Sequence, residues 1–275
     1  GEQRGAMILV RHKILCRQMV PKHWTAMRSI ERIVLMIDVI RITNLNQTVG
    51  VVEPARRRHN MEALAIRTKL IVASDKNNVL ADFLTTGVYD RNRPFFTTIS
   101  PSMDILISSN LERMLYFLSD GDCELVAGLM EQLAQTGRYE VPAELLAKIQ
   151  SVFGCGWASE DEVRAAIKSC WDANGYVIDP HTACGYHVFE KVAPAEGAKA
   201  RVLLSTASPY KFPRACCNAL GLNVPEDDFE AMRVLEQATN TVAPAQLAEL
   251  ESKPVRFEDV CDVADMANYV EQAAK

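Results

Sequence analysis

The spacing of apolar and polar positions divides this chain at Thr68. Beyond that point short apolar runs alternate with stretches at helical spacing. Leu70-Ile71-Val72-Ala73 is an apolar run of the kind that forms a buried strand. Ser74-Asp75-Lys76-Asn77-Asn78 supplies turn and cap residues. Val79-Leu80 and Phe83-Leu84 then recur one helical turn apart, and Gly87 stands where such a helix ends. The pattern predicts a strand–turn–helix unit. A loop follows from Tyr89 to Pro101, with two prolines and two arginines. Ile105 to Leu118 and Cys123 to Gln135 read as helices, the second with Leu125, Leu129, Met130 and Leu133 on one side.

Val141-Pro142-Ala143-Glu144 opens a further helix with proline in its first turn. Ser159-Glu160-Asp161-Glu162 is a capping-box pattern starting a helix to about Ala173, closed by Asn174-Gly175. Asp179-Pro180 places an acid at the N-cap and proline next to it, for a helix through about Val188. Arg201 to Ser205 reads as a strand. Phe229 to Gln237, Pro244 to Glu251 and Phe257 to Ala274 read as helices. The expected class is α/β with an excess of helix. Residues 1–67 differ: Arg, Ile and Met follow one another without helical or strand period, and no element is assigned there.

Charge reinforces the division. Residues 1–67 hold 12 of the 30 Lys+Arg and 5 of the 35 Asp+Glu, a net of +7, while the rest carries −12. Such asymmetry fits a basic arm or a targeting leader. The segment is neither Ser-rich nor amphipathic, which argues against a transit peptide. Arg56-Arg57-Arg58-His59 has no aromatic interleaving, so no nucleic-acid partner is expected. No apolar stretch reaches the ~18 residues of a membrane span, and no membrane partner is expected. The 8 cysteines include no Cys-x-x-Cys pair, which excludes a zinc ribbon. Reduced thiols in a cytoplasmic protein are the expectation.

The candidate chemistry lies in four stretches. The first is Leu70-Ile71-Val72-Ala73-Ser74-Asp75-Lys76-Asn77-Asn78-Val79-Leu80 through Thr86-Gly87. The second is Ser100-Pro101-Ser102-Met103-Asp104-Ile105 through Ser108-Ser109-Asn110-Leu111-Glu112-Arg113. The third is Asp179-Pro180-His181-Thr182-Ala183, and the fourth is Ser205-Thr206-Ala207-Ser208-Pro209-Tyr210-Lys211-Phe212. Read from the residues alone, the fourth puts two hydroxyls at the carboxyl end of a strand, where open α/β sheets bind ligands. The same hydroxyls would equally cap a helix opening near Pro209. The Ser102–Arg113 run suits an anion or a capped helix with Arg113 on its wet face. Asp179 is explained as an N-cap. His181 is a packed or site-lining histidine, and Lys211 an anion partner or a solvated lysine.

In order and spacing these stretches resemble the C-terminal half of threonine synthase, from roughly Leu70 to Leu222. The resemblance implies part of a fold-type-II pyridoxal-phosphate (PLP) enzyme, similar to the tryptophan synthase β group and incomplete on its N-terminal side. It implies a lyase of threonine biosynthesis that converts O-phospho-L-homoserine and water to L-threonine and phosphate. It also implies that Thr206 meets the PLP pyridine nitrogen. Such a family carries its PLP-binding lysine and a glycine-rich phosphate loop in its first half. Lys13 and Lys22 do not stand in a matching context, and Val51 to Asn60 contains no glycine. The expected organisation is therefore an unassigned basic leader over 1–67, unrelated or frame-disturbed, and a threonine-synthase-like portion over 68–275. As this chain, the protein is expected to be an inactive fragment without a catalytic lysine of its own. The alternatives are a non-catalytic binding module, a fusion or remodelled paralogue, and a different fold-type-II lyase or dehydratase.

Overall fold

A computed structural model describes residues 7–11, 48–52, 68–194, 200–205, 207–256 and 258–274. In chain order the strands are β1 (Met7–Arg11), β2 (Thr48–Val52), β3 (Thr68–Ser74), β4 (Val88–Asp90), β5 (Arg138–Glu140), β6 (Phe153–Trp157) and β7 (Ala200–Ser205). The helices are α1 (Val79–Thr86), α2 (Leu111–Leu118), α3 (Cys123–Thr136), α4 (Ala143–Val152), α5 (Glu160–Asn174), α6 (Pro180–Lys191), α7 (Pro213–Leu220), α8 (Asp228–Thr239), α9 (Ala245–Ala248) and α10 (Met266–Ala273). They fall into two compact units, 1–241 and 242–275.

In the first unit five strands form one sheet in the order β1-β7-β2-β3-β6. β1 pairs parallel with β7, and β3 pairs parallel with β6. β2 lies between β7 and β3 and is antiparallel to both, with Gly50 opposite Val202 and Leu70. The carboxyl ends of β3, β6 and β7 therefore point to the same edge. Ser74, Trp157 and Ser205 end their strands there. The apolar run Leu70–Ala73 is buried on both faces, as a strand covered by helices requires. Leu70, Val72, Phe83, Leu115, Ile149 and Phe153 belong to the main apolar cluster.

The local signals account for the helix ends. Gly87 closes α1 in the left-handed region, its N–H reaching the Phe83 carbonyl at 2.7 Å. Ser159 and Glu162 form the capping box in both directions, and Gly175 ends α5 left-handed. Tyr89 on β4 stacks on Tyr139 of β5 with ring centroids 5.2 Å apart, and Phe83 meets both edge-on. Among the described residues the Tyr139 hydroxyl is buried with no hydrogen-bond partner.

Several expectations need correction. Ile105–Leu118 is helical only from Leu111, because Tyr89 donates its hydroxyl to the Leu106 carbonyl and accepts the Ser108 N–H, holding that segment out of a helix. Pro142 is the N-cap of α4, not its first turn. Of the helix expected over Phe257–Ala274, only α10 is α-helical, preceded by a 3-10 turn at Val263–Asp265; Phe257 lies outside the described residues. Strands β4, β5 and β6 carry no clear period and were not expected. Strands β1 and β2 fall in the segment to which the sequence assigns no element. Among the described residues no helix is long and apolar enough to cross a membrane.

The second unit contains α9, which runs on into a 3-10 turn at Glu249–Ser252, and α10. Val260, Val263, Met266 and Val270 are exposed there.

Candidate functional site

The carboxyl edge of the sheet carries the buried polar side chains. Asp75 and Asn77 follow β3 directly and are 1% and 3% exposed. Asp75 Oδ1 accepts the Asn77 N–H at 2.8 Å, the side-chain-to-backbone bond that short acids make just past a strand. Asn77 then acts like a strand of one residue. Its Nδ2 donates to the Phe96 carbonyl at 2.8 Å and its Oδ1 accepts the Phe96 N–H at 2.9 Å. The same Nδ2 donates to Asp104 Oδ1 at 2.9 Å. Asp104 Oδ2 accepts the Thr98 N–H at 2.9 Å, and the Thr98 hydroxyl lies 2.7 Å from Asp104 Oδ1 and 3.1 Å from Asp75 Oδ2. Burial, and next the neighbouring Asp104 carboxyl, push Asp75 up to about 7. A small open cleft of about 10 Å³, room for roughly one water, adjoins, lined by Ala73, Ser74, Asn77, Leu80, Met103 and Ile105.

A second group sits at the start of α6. Asp179 is fully buried and caps the helix by accepting the His181 and Thr182 N–H groups at 2.9 and 3.3 Å. Its carboxylate also accepts from His181 Nδ1 at 2.9 Å and from the Thr182 hydroxyl. His181 Nε2 accepts the Ser102 N–H at 3.2 Å. These two bonds fix the neutral tautomer with the proton on Nδ1. The His181 ring lies 4.6 Å from that of Phe212. Burial raises Asp179, and the bonds from His181 and Thr182 outweigh it, so the carboxyl is held below its ordinary value.

His181 thus joins two stretches picked out in the sequence, 100–104 and 205–212. Asp179 is the predicted N-cap, and His181 is the packed histidine of the two readings. The polar run divides: Asp104 is in the cluster, whereas Arg113 is exposed and bonded to Asn110. Lys211 is exposed at the end of the 3-10 turn Pro209–Lys211. Ser205 is buried at the end of β7. Thr206, the residue expected to meet PLP, lies outside the described residues, as do Lys13, Lys22 and Arg56–His59.

Asp75, Thr98 and Ser100 were not anticipated as a cluster. The usable signal was an acid placed immediately after an apolar strand, followed by a hydroxyl-rich loop. Asn78, expected as cap chemistry, makes no cap bond and instead accepts from Arg93 at 3.1 Å.

Among the described residues no group of His, Cys, Asp and Glu is placed to hold a metal. The described residues also do not complete a PLP site. Every described lysine is exposed except Lys69, which is half-buried and donates to the Gln150 carbonyl. None reaches the buried cluster to serve as a covalent anchor. The turn after β3, Ser74 to Asn78, contains no glycine, and its Asn77 commits its N–H to Asp75 and its side chain to Phe96 and Asp104, so it is not a glycine cradle for a phosphate.

Comparison with known proteins finds similarity over the C-terminal part of the chain. Residues 182–270 match the family described as Threonine synthase, C-terminal. Threonine synthase-like 1 of Homo sapiens is 37% identical over 193 residues, covering 70% of this chain and 25% of its own length. Threonine synthase of Saccharomyces cerevisiae is 31% identical over 221 residues, covering 74% of this chain and 41% of its own. The crystal structure of PLP-bound threonine synthase from Brucella melitensis superposes with a TM-score of 0.62 at 34% identity, over 75% of this chain and 40% of that one. The yeast threonine synthase structure gives 0.63 at 30% identity, over 77% and 43%. The chain thus spans between a quarter and about two-fifths of the length of these relatives. Its helix-rich α/β architecture is part of the fold-type-II arrangement of those enzymes.

Proposed function

We propose that this chain, whose C-terminal part is homologous to the C-terminal half of threonine synthases, supplies one wall of a threonine synthase site and is catalytically silent alone. The family reaction converts O-phospho-L-homoserine and water to L-threonine and phosphate with PLP. In this reading Thr206 presents its hydroxyl to the cofactor's ring nitrogen, and the covalent anchor comes from outside the threonine-synthase-like portion. The work of the described residues is positional. Asp179 and His181 hold the Ser100–Asp104 segment against the segment containing Phe212, so that two separated stretches meet at the carboxyl edge of the sheet. The observation that supports this most is that His181 bridge, because it joins two of the stretches that carry the resemblance.

A non-catalytic module that keeps the same fold is the second reading, favoured by the surface position of nearly all the described lysines. Reduction with borohydride in the presence of PLP, followed by mass spectrometry, tests the first. No lysine adduct is expected, and no threonine from O-phospho-L-homoserine. An adduct with turnover by this chain alone would refute the claim of silence. Threonine formation on adding a polypeptide that carries the first half of a threonine synthase would support the wall reading over the module.

A further inference from the structure

The segment between β4 and α2 holds only one 3-10 turn, Pro101–Met103, yet Ser100 within it is fully buried. Side chains hold it in place, and the hydrogens available to them can be counted. The Thr98 hydroxyl oxygen accepts the Ser100 N–H at 3.1 Å. It has one hydrogen to give, and Asp104 Oδ1 at 2.7 Å is its shortest partner. The Thr98–Asp75 contact of 3.1 Å then needs a hydrogen from the other side, and a bare carboxylate has none. The Ser100 hydroxyl, 3.1 Å from Thr98 Oγ1, is the other hydrogen at hand, and it reaches Asp75 Oδ2 only at 3.4 Å, a longer and weaker contact than the Thr98–Asp75 one.

We propose that Asp75 and Asp104 hold one proton between them, carried on Asp75 and relayed through the Thr98 hydroxyl, and that this proton clamps the Phe96–Asp104 segment onto the end of β3. The clamp does not depend on what the site acts upon. With the proton present, Asp75 Oδ2 donates to Thr98, Thr98 donates to Asp104, and Asp104 accepts from Asn77 Nδ2 and the Thr98 N–H. Every polar atom of the relay is matched. With the proton gone, two carboxylates compete for the Thr98 hydroxyl hydrogen, with only the long Ser100 contact to help, and like charges oppose each other.

Among the described residues, the groups that face this pair offer no compensating positive charge. From the turn after β3 come the Asn77 amide and N–H. From the clamped segment come Thr98 and Ser100. From α6 comes Cys184, whose sulfur is 3.9 Å from Ser100 Oγ and whose thiol burial pushes far up, with Asp75 and Asp179 adding to it. From α5 comes Glu160, which accepts the Ile99 N–H at 3.2 Å. His181, neutral and committed to Asp179, brings no charge. Arg93 is taken by Asp82 at 2.6 Å, and Lys76 is exposed with its Nζ over the Phe96 ring. The raised value of Asp75 agrees with this balance. An acid raised by folding stabilises the closed form fully below its ordinary value near 3.8, so the clamp weakens as pH rises from there and has lost the proton's contribution once pH passes about 7.

Hydrogen exchange of the Thr98 and Ser100 amides in the full chain reads the clamp directly. After correction for intrinsic exchange, their protection should be flat below the ordinary carboxyl value near 3.8, fall by up to about tenfold per pH unit between there and about 7, and level off above, as loss of one proton requires. Asp75→Asn supplies a permanent N–H donor in the proton's place, and should keep protection level across the range. Protection that ignores pH in the wild type, or a decline that survives in Asp75→Asn, overturns the proposal. Carbon-13 NMR of the wild-type Asp75 carboxyl decides the matter if the variant does not fold. A midpoint near neutrality supports the shared proton, and one near the ordinary value for aspartate refutes it.

Discussion

Replacing Asp179 by alanine tests how much of the site is held by one carboxylate. The side chain is fully buried and accepts two backbone N–H groups, the His181 Nδ1–H and the Thr182 hydroxyl. Loss of the helix cap costs about 1 kcal/mol. The imidazole N–H and the threonine hydroxyl are then left buried; a stranded buried donor costs roughly 1–3 kcal/mol, and Thr182 can turn elsewhere. The sum is roughly 2–4 kcal/mol, a large share of the ~5–15 kcal/mol that holds a domain together. Asp179→Asn keeps an oxygen for the cap and for His181, and should cost less than half as much.

Urea unfolding of the two variants at neutral pH, read by tryptophan fluorescence and by far-UV circular dichroism, measures both losses. Nitrogen-15 NMR of His181 adds a reading that general destabilisation does not move: the wild type should show the proton on Nδ1, and Asp179→Ala should lose that preference. An alanine variant within about 1 kcal/mol of wild type would refute the accounting, as would a wild-type proton on Nε2. The pH dependence follows from the sign of the shift. Folding lowers the Asp179 carboxyl, so its contribution is full above the unfolded value near 3.8 and is lost as pH falls through the folded one. Asp75 runs the other way. Folding raises it from 3.8 to about 7, so its contribution is full on the acid side and drains away as pH rises between those values. At 1.36 kcal/mol per unit the difference is on the order of 4 kcal/mol. On these two carboxyls stability should therefore be greatest near pH 4 and decline from there towards neutrality.

Tyr139→Phe removes a buried hydroxyl that has no partner among the described residues and should leave stability unchanged or raise it by up to about 1 kcal/mol in a thermal melt. Gly156→Ala places a Cβ 2.8 Å from Val188 Cγ1 and should cost about 1–3 kcal/mol, with Val188→Ala in the same chain restoring part of it. A chemical melt of the single and double variants checks the pair.

The unit from β3 to α1 was legible because each signal is local: an apolar run, a polar turn, apolar pairs one turn apart and a glycine that takes φ 79°. The Ser159–Glu162 box and the Asp179 cap were legible for the same reason. Strand β6 was not. Its Gly154 and Gly156 weaken a strand by themselves, and they are there because Ile71 and Val188 come too close for a Cβ. The segment 105–110 looks helical from Ile105, Leu106 and Ile107, but the Tyr89 hydroxyl, far back in the chain, holds Leu106 and Ser108 out of a helix. Asp75 misleads in a similar way. Nothing near it distinguishes a turn residue from a buried acid, since the hydroxyl and carboxylate that surround it come from Thr98 and Asp104. The resemblance located the segments; the partners within them came only from the fold.

The distribution of polar groups explains why this edge, and not the helical side, is the place to look for function. The helices α1 to α4 close over Leu70, Phe83, Leu115 and Ile149, and that burial can support the fold with no charged side chain among those residues. At the carboxyl edge the chain instead buries Asp75, Asn77, Ser100, Asp179, His181 and Thr182. Apolar side chains of similar size would usually fold at least as stably as buried carboxylates, so stability alone gives no reason for the acids. What the polar set does provide is direction. Each hydrogen bond fixes an angle as well as a distance, and together they place the 96–104 segment relative to β3, α5 and α6 through Asn77, Glu160 and His181. A segment fixed in that way presents its backbone and its hydroxyls in one arrangement to whatever enters the cleft beside Ser74 and Asn77. That is the property a binding wall requires, and it is present here before any lysine or glycine loop is added to it.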